Sequence, residues 1–345
     1  MIMAGPQKQK SVKNLQVRSG GRLKIEFSEN VEAPTTEHQL LIAFYFGASP
    51  APHDSATIVC PGLAPIDRDH VYECWWYKGE VTLSEAGSVR IAECDDYTVA
   101  TIQKNESPEE DYRTFTLEAY RELLRAIRST QHTKLAKAWN YLGGINQGDD
   151  DREKYRQFSM GRNEAFVEFG IDDEVAPTGT AIGTARPDGL SIIALASRQD
   201  LYLAENPRQV SAFKYPRQYG PSSPMFSRGG YVSTDNHNLY LISGTAAVVG
   251  HESAHPYDVA PQAGETMKNL AVICEAISAS EINGAKLELD GDSVLRVYVR
   301  DPQDVESVSR TIGSALGHDD FNAVYLHGNI CRRELMVEID AAKVV

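Results

Sequence analysis

VLRVYVRDPQDVESVSRTIGSALG (residues 294–317) decides the fold class, because its periodicity changes partway along. The β-branched run from Val294 to Arg300 alternates as a strand does. Asp301-Pro302 then supplies an N-cap and a first-turn proline, and Val305, Val308, Ile312 and Leu316 recur at helical spacing up to Gly317. A strand feeding directly into an amphipathic helix is the step of a mixed fold. Working outward, AVYLH and LMVEID read as two closing strands. On the other side, NLYLISGTAAVVG reads as strand and turn, and a helix is expected from about Ala263 to Ser280, stopping at Asn283-Gly284. From Tyr231 the order is β-β-α-β-α-β-β.

The N-terminal half alternates in the same way with weaker signals. Leu40 to Gly47 and Tyr97 to Gln103 read as buried strands, and Leu117, Tyr120, Leu124 and Ile127 mark a helix. AWNYLGGINQGDDD is expected to break into a Gly and Asp loop before a second helix near Asp151. TAIGTA and GLSIIALAS read as further strands. The stretch from Asn206 to Gly230, with four prolines, reads as an irregular connector. A boundary there divides the chain into residues 1–222 and 223–345, and its length of 345 residues suits two domains.

Composition narrows the classes. The basic, polar start, MIMAGPQKQKSVKNLQVRSGG, lacks the apolar middle of a signal peptide and is expected to be frayed. No apolar run approaches the ~20 residues of a membrane span. Five cysteines without a CxxC pair suit a reducing cytoplasm. A net charge of −14 argues against nucleic acid or an anionic membrane as partner, so an anionic ligand would need a local cluster of arginines.

Three constellations could carry chemistry. His251-Glu252-Ser253-Ala254-His255 fits the H-E-x-x-H pattern of a zinc hydrolase, which requires a helix to put both imidazoles on one face. Gly250 before it and Pro256 after it favour a polar loop instead. Arg162 falls on the apolar stripe of Tyr155, Phe158, Phe166 and Phe169, so its guanidinium must find an anion, either one of the 48 acidic side chains or a ligand. YPRQYGPSSP (215–224) is a proline-stiffened loop that could present Tyr215 and Tyr219 to a ligand carboxylate. In the last strand, alternation would leave Glu338 on the solvent side. By themselves Cys331 reads as a small buried hydrophobe and Gly244 as a turn residue.

The C-terminal order, with ISG opening a turn, ETMKNL on the first helix and a terminal VEIDA, resembles the reactive-intermediate deaminase (RidA/YjgF) family. KAWNYLGGIN, YRQFSMGRNEAF, AENPRQVSAFKYPRQYGP, LISGTAAVVGHESAHPYD and CRRELMVEID together resemble the chorismatases, and they span Lys137 to Asp340. The first 110 residues carry no matching motif. The resemblance implies an α+β fold of two RidA/YjgF-like (chorismate-mutase-like) domains side by side, each a mixed sheet backed by helices. It implies removal of the enolpyruvyl side chain of chorismate as pyruvate, with neither cofactor nor metal, by a cytoplasmic monomer or small homo-oligomer. Glu338 matches the catalytic acid, which inverts its solvent-facing reading, and Arg162 the arginine expected to pair with a substrate carboxylate. Tyr215 and Tyr219 match the loop that lines the pocket. Hydrolytic members resemble ISATA with an alanine seven residues before the glutamate; here Gly244 and Cys331 occupy those places, as in members that make 3-hydroxybenzoate, some with 4-hydroxybenzoate. The expected reaction is therefore chorismate to 3-hydroxybenzoate and pyruvate, with Cys331 assisting proton transfer. A chorismate hydrolase and a RidA-like binding module are the alternatives.

Overall fold

A computed structural model describes residues 21–48, 51, 55–107, 111–186, 188–280, 286–318 and 321–345. The expected frayed start and the Asn283-Gly284 helix stop lie outside the described residues. Strands β1 (Leu23–Ser28), β2 (His38–Gly47), β3 (Ile58–Val59), β4 (Ala64–Pro65) and β5 (His70–Lys78) open the chain. All but β4 form a four-stranded sheet in the order β1-β5-β2-β3. Next come β6 (Thr82–Ala86), β7 (Val89–Glu93), β8 (Tyr97–Lys104), α1 (Tyr112–Arg128), β9 (Lys134–Gly143), α2 (Lys154–Glu168), β10 (Thr178–Thr184) and β11 (Leu190–Ser197). These strands make a six-stranded sheet, β10-β9-β11-β8-β7-β6.

The last third supplies β12 (Tyr202–Ala204), β13 (Gly229–Ser233), β14 (Asn238–Ala246), the hairpin β15 (Val248–Val249) and β16 (Glu252–Ser253), α3 (Val259–Ser280), β17 (Val294–Val299), α4 (Val305–Leu316), β18 (Ala323–His327) and β19 (Val337–Val344). With β4 they form a seven-stranded sheet, β12-β13-β14-β19-β17-β18-β4. Two segments from before residue 222, β4 and β12, thus complete its two edges.

One strand order occurs twice. From β7 to β11 the spatial order is β10-β9-β11-β8-β7, and from β13 to β19 it is β18-β17-β19-β14-β13. In each set one pair is parallel, β9 with β10 and β17 with β18. A parallel neighbour needs a crossover connection, which α2 and α4 provide. The opening of α4 follows the sequence closely: Asp301 accepts from the Gln303 amide, Pro302 starts a short 3-10 turn, and Gly317 closes the helix at φ 80°.

The expected loop at 138–151 begins instead as strand, through Gly143. Residues 134–143 form β9, in the interior of the six-stranded sheet, because Trp139, Tyr141 and Leu142 all find buried partners; only the part from Gly144 turns. Its glycines and aspartates signal the turn after a strand, and the strand itself has buried residues on both faces, so no alternation announces it.

Helices α1 and α2 cover one face of the six-stranded sheet, and α3 and α4 one face of the seven-stranded sheet. The uncovered faces join the four-stranded sheet in a shared core that includes Phe44, Trp75, Trp139, Leu241 and Tyr298. Arg296 of β17 stands in this core, 2% exposed, and donates to Glu73 of β5 through Nε (2.6 Å) and Nη2 (2.7 Å). Its Nη1 donates to the Tyr141 hydroxyl of β9 (3.0 Å), and its guanidinium lies 3.9 Å from the Phe44 ring centre and 4.9 Å from that of Trp139. Trp75 Nε1 donates to Glu73 as well (2.8 Å). One ion pair thereby links all three sheets.

Glu73→Gln would leave a buried cation without its counter-charge. The expected loss of unfolding free energy is about 3–5 kcal/mol, read from the urea midpoint at unchanged slope. A loss below about 1 kcal/mol would mean that Tyr141 and the aromatic rings satisfy Arg296 unaided.

Candidate active site

β19 runs between β14 and β17 in the interior of its sheet, and its residues 337–342 are buried on both faces. Val337 and Ile339 join the core beneath the helices. Glu338 and Asp340 point the other way, into the seam where β10 of the six-stranded sheet approaches β14, and are 4% and 3% exposed. The solvent-facing reading of Glu338 fails because a second sheet covers the face that alternation leaves polar.

A narrow pocket of about 40 Å³ opens at Glu338, walled by Tyr155 and Arg162 of α2, Thr180 of β10, Phe226, Gly244 of β14 and Cys331. It shares Tyr155, Phe226, Gly244, Cys331 and Glu338 with a wider cavity of about 550 Å³, whose outer wall carries Tyr215, Tyr219, Arg228 and Arg332. That volume suits a small organic ligand.

Burial pushes the Glu338 carboxyl up to about 8, with the nearby Asp340 charge adding to the rise and Lys137 and Arg228 opposing it. At neutral pH it is mostly the protonated acid. Burial, reinforced by Glu338, also raises the Cys331 thiol to about 12, so Cys331 faces the cavity as a neutral thiol. Gly244 lies directly against the acid: a Cβ there would stand 2.0 Å from Glu338 Oε1 and 2.9 Å from its Cδ. Glycine at this position is the condition for Glu338 to occupy its place.

Arg162 is 3% exposed, stacked near Phe158 (5.0 Å) and Phe166 (5.8 Å), and its Nε and Nη2 are buried with no hydrogen-bond partner among the described residues. Of the two anions that the sequence left open, the protein supplies neither nitrogen with one. A desolvated guanidinium with free donors beside a pocket has the chemistry to receive an anion. Arg228 donates through Nη2 to the Tyr215 hydroxyl (2.8 Å) and the Val210 carbonyl (2.8 Å), while its Nε also has no partner among the described residues. Arg332 lies 3.8 Å from the Tyr219 ring centre and donates to the His251 carbonyl (2.9 Å). The Tyr219 hydroxyl stands 3.3 Å from His251 Nδ1.

The structure therefore gathers Glu338, Cys331, Gly244, Arg162, Tyr215 and Tyr219 around one cavity. Sequence reasoning passed over Tyr155, although it lies on the same helical stripe as Arg162, and Arg332, although it sits in CRRELMVEID beside Cys331. For Arg228, in the irregular connector, no signal existed. The H-E-x-x-H segment is not helical: Glu252 and Ser253 form β16, Gly250 has φ 61° and His255 has φ 51°. Among the described residues, no three His, Cys, Asp or Glu side chains cluster as metal ligands. No helix among them is long and apolar enough to cross a membrane.

Residues 73–196 match the family model described as "Chorismatase FkbO/Hyg5-like, N-terminal". This match begins inside the first 110 residues, where no motif was legible. A chorismatase of Streptomyces rapamycinicus is 34% identical over 275 residues, covering 78% of this chain and 80% of that protein. A 3-hydroxybenzoate synthase of Streptomyces hygroscopicus is 32% identical over 244 residues, covering 66% of this chain and 69% of that one. A chorismatase crystal structure superposes with a TM-score of 0.81 at 27% identity, covering 94% of this chain and 99% of its own.

The raised pKa of Glu338 has a consequence for stability. Between the ordinary carboxyl value of 4.5 and about 8, the folded state binds more protons at this site than the unfolded state. The contribution is full below the lower value and is lost as pH rises through the upper one. Glu338→Gln is neutral throughout, so the stability of the wild type relative to this variant should fall as pH rises across that window. The slope should not exceed about 1.4 kcal/mol per unit, measured by urea unfolding at a series of pH values. A difference that stays flat would assign Glu338 an ordinary carboxylate.

Proposed function

The chain belongs to the chorismatase family, and from that premise we propose that it converts chorismate to 3-hydroxybenzoate and pyruvate, with Glu338 as the proton donor. The observation that carries this reading is the pairing, within one pocket, of a buried acid raised to about 8 with the buried guanidinium of Arg162, whose Nε and Nη2 have no hydrogen-bond partner among the described residues. Chorismate is a dianion. Arg162 takes one carboxylate at the inner end, and Arg228 with Arg332, Tyr215 and Tyr219 takes the other at the wide end.

Glu338 transfers its proton to the methylene carbon of the enolpyruvyl group, and the carboxylate left behind is stabilised by Lys137 and Arg228. The C3–O bond then breaks, its electrons going to the departing oxygen, and the side chain leaves as pyruvate. The ring's own 4-hydroxyl closes on C3 and releases its proton, giving an arene oxide that opens and aromatises. Cys331, a neutral thiol beside the ring, assists the proton transfers. The chemistry calls on no cofactor. Gain of aromaticity drives the reaction, so the protein has to place a proton, hold two carboxylates and keep water out.

The same reading extends to architecture. The repeated strand order supports two RidA/YjgF-like domains side by side, residues 1–222 and 223–345, with β4 and β12 crossing to the second sheet. Five unpaired cysteines support a cytoplasmic location. The acidic surface favours neither nucleic acid nor membrane, and the protein is read as a monomer or small homo-oligomer.

Purified protein incubated with chorismate and excess EDTA should release pyruvate and 3-hydroxybenzoate in equal amounts, separated by chromatography. Dihydroxycyclohexadiene acid as the ring product would make it a hydrolase, binding without pyruvate would make it a binding module, and activity lost to EDTA and restored by zinc would recruit His251 and His255. Glu338→Gln should keep the fold and lower turnover about 10²- to 10⁴-fold.

Gly244→Ala places a methyl 2.0 Å from Glu338 Oε1, which forces the carboxyl out of position. Even ~1 Å of misplacement can cost 10²-fold in rate. With Cys331→Ala added, 3-hydroxybenzoate should fall far more than pyruvate, as water replaces the 4-hydroxyl as nucleophile. A double variant that still makes mainly 3-hydroxybenzoate at a near-normal rate would remove these two positions from control of the reaction type.

A further inference from the structure

Asp340 lies two residues beyond Glu338 on the same face of β19, and the chemistry above does not use it. It is as deeply buried as the acid, yet its surroundings differ. Its Oδ2 accepts from the Thr180 hydroxyl (2.7 Å) and the Tyr298 hydroxyl (3.3 Å), and Lys137 Nζ stands 3.9 Å away. Thr180 Oγ1 in turn accepts from the backbone N–H of Gly244 (3.2 Å). A hydroxyl has one proton to give, so donation to Asp340 turns its lone pairs toward that N–H and fixes the direction of both bonds.

The link matters because of where Gly244 sits. The pairing of β14 with β19 slips in register between Ile242 and Thr245, so Ser243 and Gly244 fall in a bulge where the ladder does not hold them. The segment before β13 holds Ser243, whose N–H donates to the Arg228 carbonyl (3.0 Å) and whose hydroxyl donates to the Ser227 carbonyl (2.5 Å), and groups from the other sheet hold the rest. Thr180 holds Gly244, the Gly179 N–H donates to Ser243 Oγ (2.8 Å), and Lys137 Nζ donates to the Ile242 carbonyl (2.7 Å). The glycine backbone lies directly against the Glu338 carboxyl, with no room for a Cβ between them, so the position of the bulge sets the space the carboxyl can occupy.

We propose that Asp340 and Thr180 are positioning residues: joined through one hydroxyl, they hold the bulge at Gly244 and the carboxyl of Glu338 in the arrangement that favours ring closure over hydrolysis. The proposal rests on the function read above. It assigns two buried carboxylates on one strand to different tasks, as their environments suggest: Asp340 gathers donors, and Glu338 faces the cavity. The groups that face Glu338 are Asp340 on β19, Lys137 on β9, Arg162 and Tyr155 on α2, Arg228 ahead of β13, and Cys331. Asp340 is the one negative charge in this set, and it helps to keep Glu338 protonated.

The test compares wild type with Asp340→Asn, Thr180→Val and Thr180→Ser. Glu338 acts as an acid, so kcat/KM falls as pH rises through its titration. Removing the neighbouring negative charge should move that falling limb to lower pH by about one unit in Asp340→Asn. Thr180→Val should lower the ratio of 3-hydroxybenzoate to pyruvate, and Thr180→Ser, which keeps the hydroxyl, should restore it. A purely structural role would change stability without moving either the pH limb or the ratio. Coincident limbs for wild type and Asp340→Asn overturn the proposal, as does a Thr180→Val product ratio equal to that of the wild type. Should Asp340→Asn not fold, the two Thr180 variants decide alone. Wild type that makes no pyruvate from chorismate sinks the functional reading itself, which is a different failure from an unmoved ratio in an active enzyme.

Discussion

The structure depends on one ion pair. Arg296 and Glu73 meet where three sheets converge, with Tyr141 and Trp75 taking the remaining polar positions and Phe44 and Trp139 closing over the guanidinium. Such a pair contributes little net stability over a well-packed apolar alternative, because desolvating both charges offsets most of their attraction. What it does fix is correspondence. A bidentate fork satisfies both partners at one distance and one angle, so β5, β9 and β17 have a single arrangement in which no buried charge is left over. The separation of the two larger sheets follows, and with it the width of the seam between them.

That seam holds the site. The chain carries a net charge of −14, yet the cavity and its inner pocket concentrate Arg162, Arg228 and Arg332, with Arg162 buried and two of its nitrogens without a partner among the described residues. An uncompensated cation costs folding free energy and is retained where a ligand repays it. In a desolvated pocket the attraction for a carboxylate greatly exceeds its value at a surface. Overall repulsion and local attraction therefore coexist, and the second prevails at short range because solvent screens the first.

On β19, two carboxylates separated by one residue meet different environments. Asp340 collects two hydroxyls and stands near an ammonium; Glu338 faces the cavity, where burial and the Asp340 charge favour its neutral form. Two acids in such different surroundings can divide the work of an active site between them. The division depends on backbone as much as on charge, since Glu338 occupies volume that any residue larger than glycine at position 244 would take.

The α+β class, the order of elements after Tyr231 and the capped start of α4 were legible in the sequence, because periods of 2 and 3.6 and the chemistry of caps are local properties. Arg162 on its apolar stripe announced a buried cation, and the motif resemblance singled out Glu338, Cys331 and Gly244. Strand β9 was misread because a strand with buried residues on both faces has no alternation, and its terminal glycines suggested a loop. The roles of Arg228, Thr180 and Asp340 could not be read at all. They arise where β10 meets the bulge in β14, from residues far apart in the chain, and no local pattern encodes a contact between two sheets. The sequence by itself determined the elements that carry a local period or cap, such as α1, α4 and the strands after Tyr231, and which residue types were available for chemistry. Tertiary packing alone decided that the polar face of the last strand would be covered by a second sheet, because burial, and hence the proton affinity of Glu338, is a property of what lies opposite a side chain and not of its place along the strand.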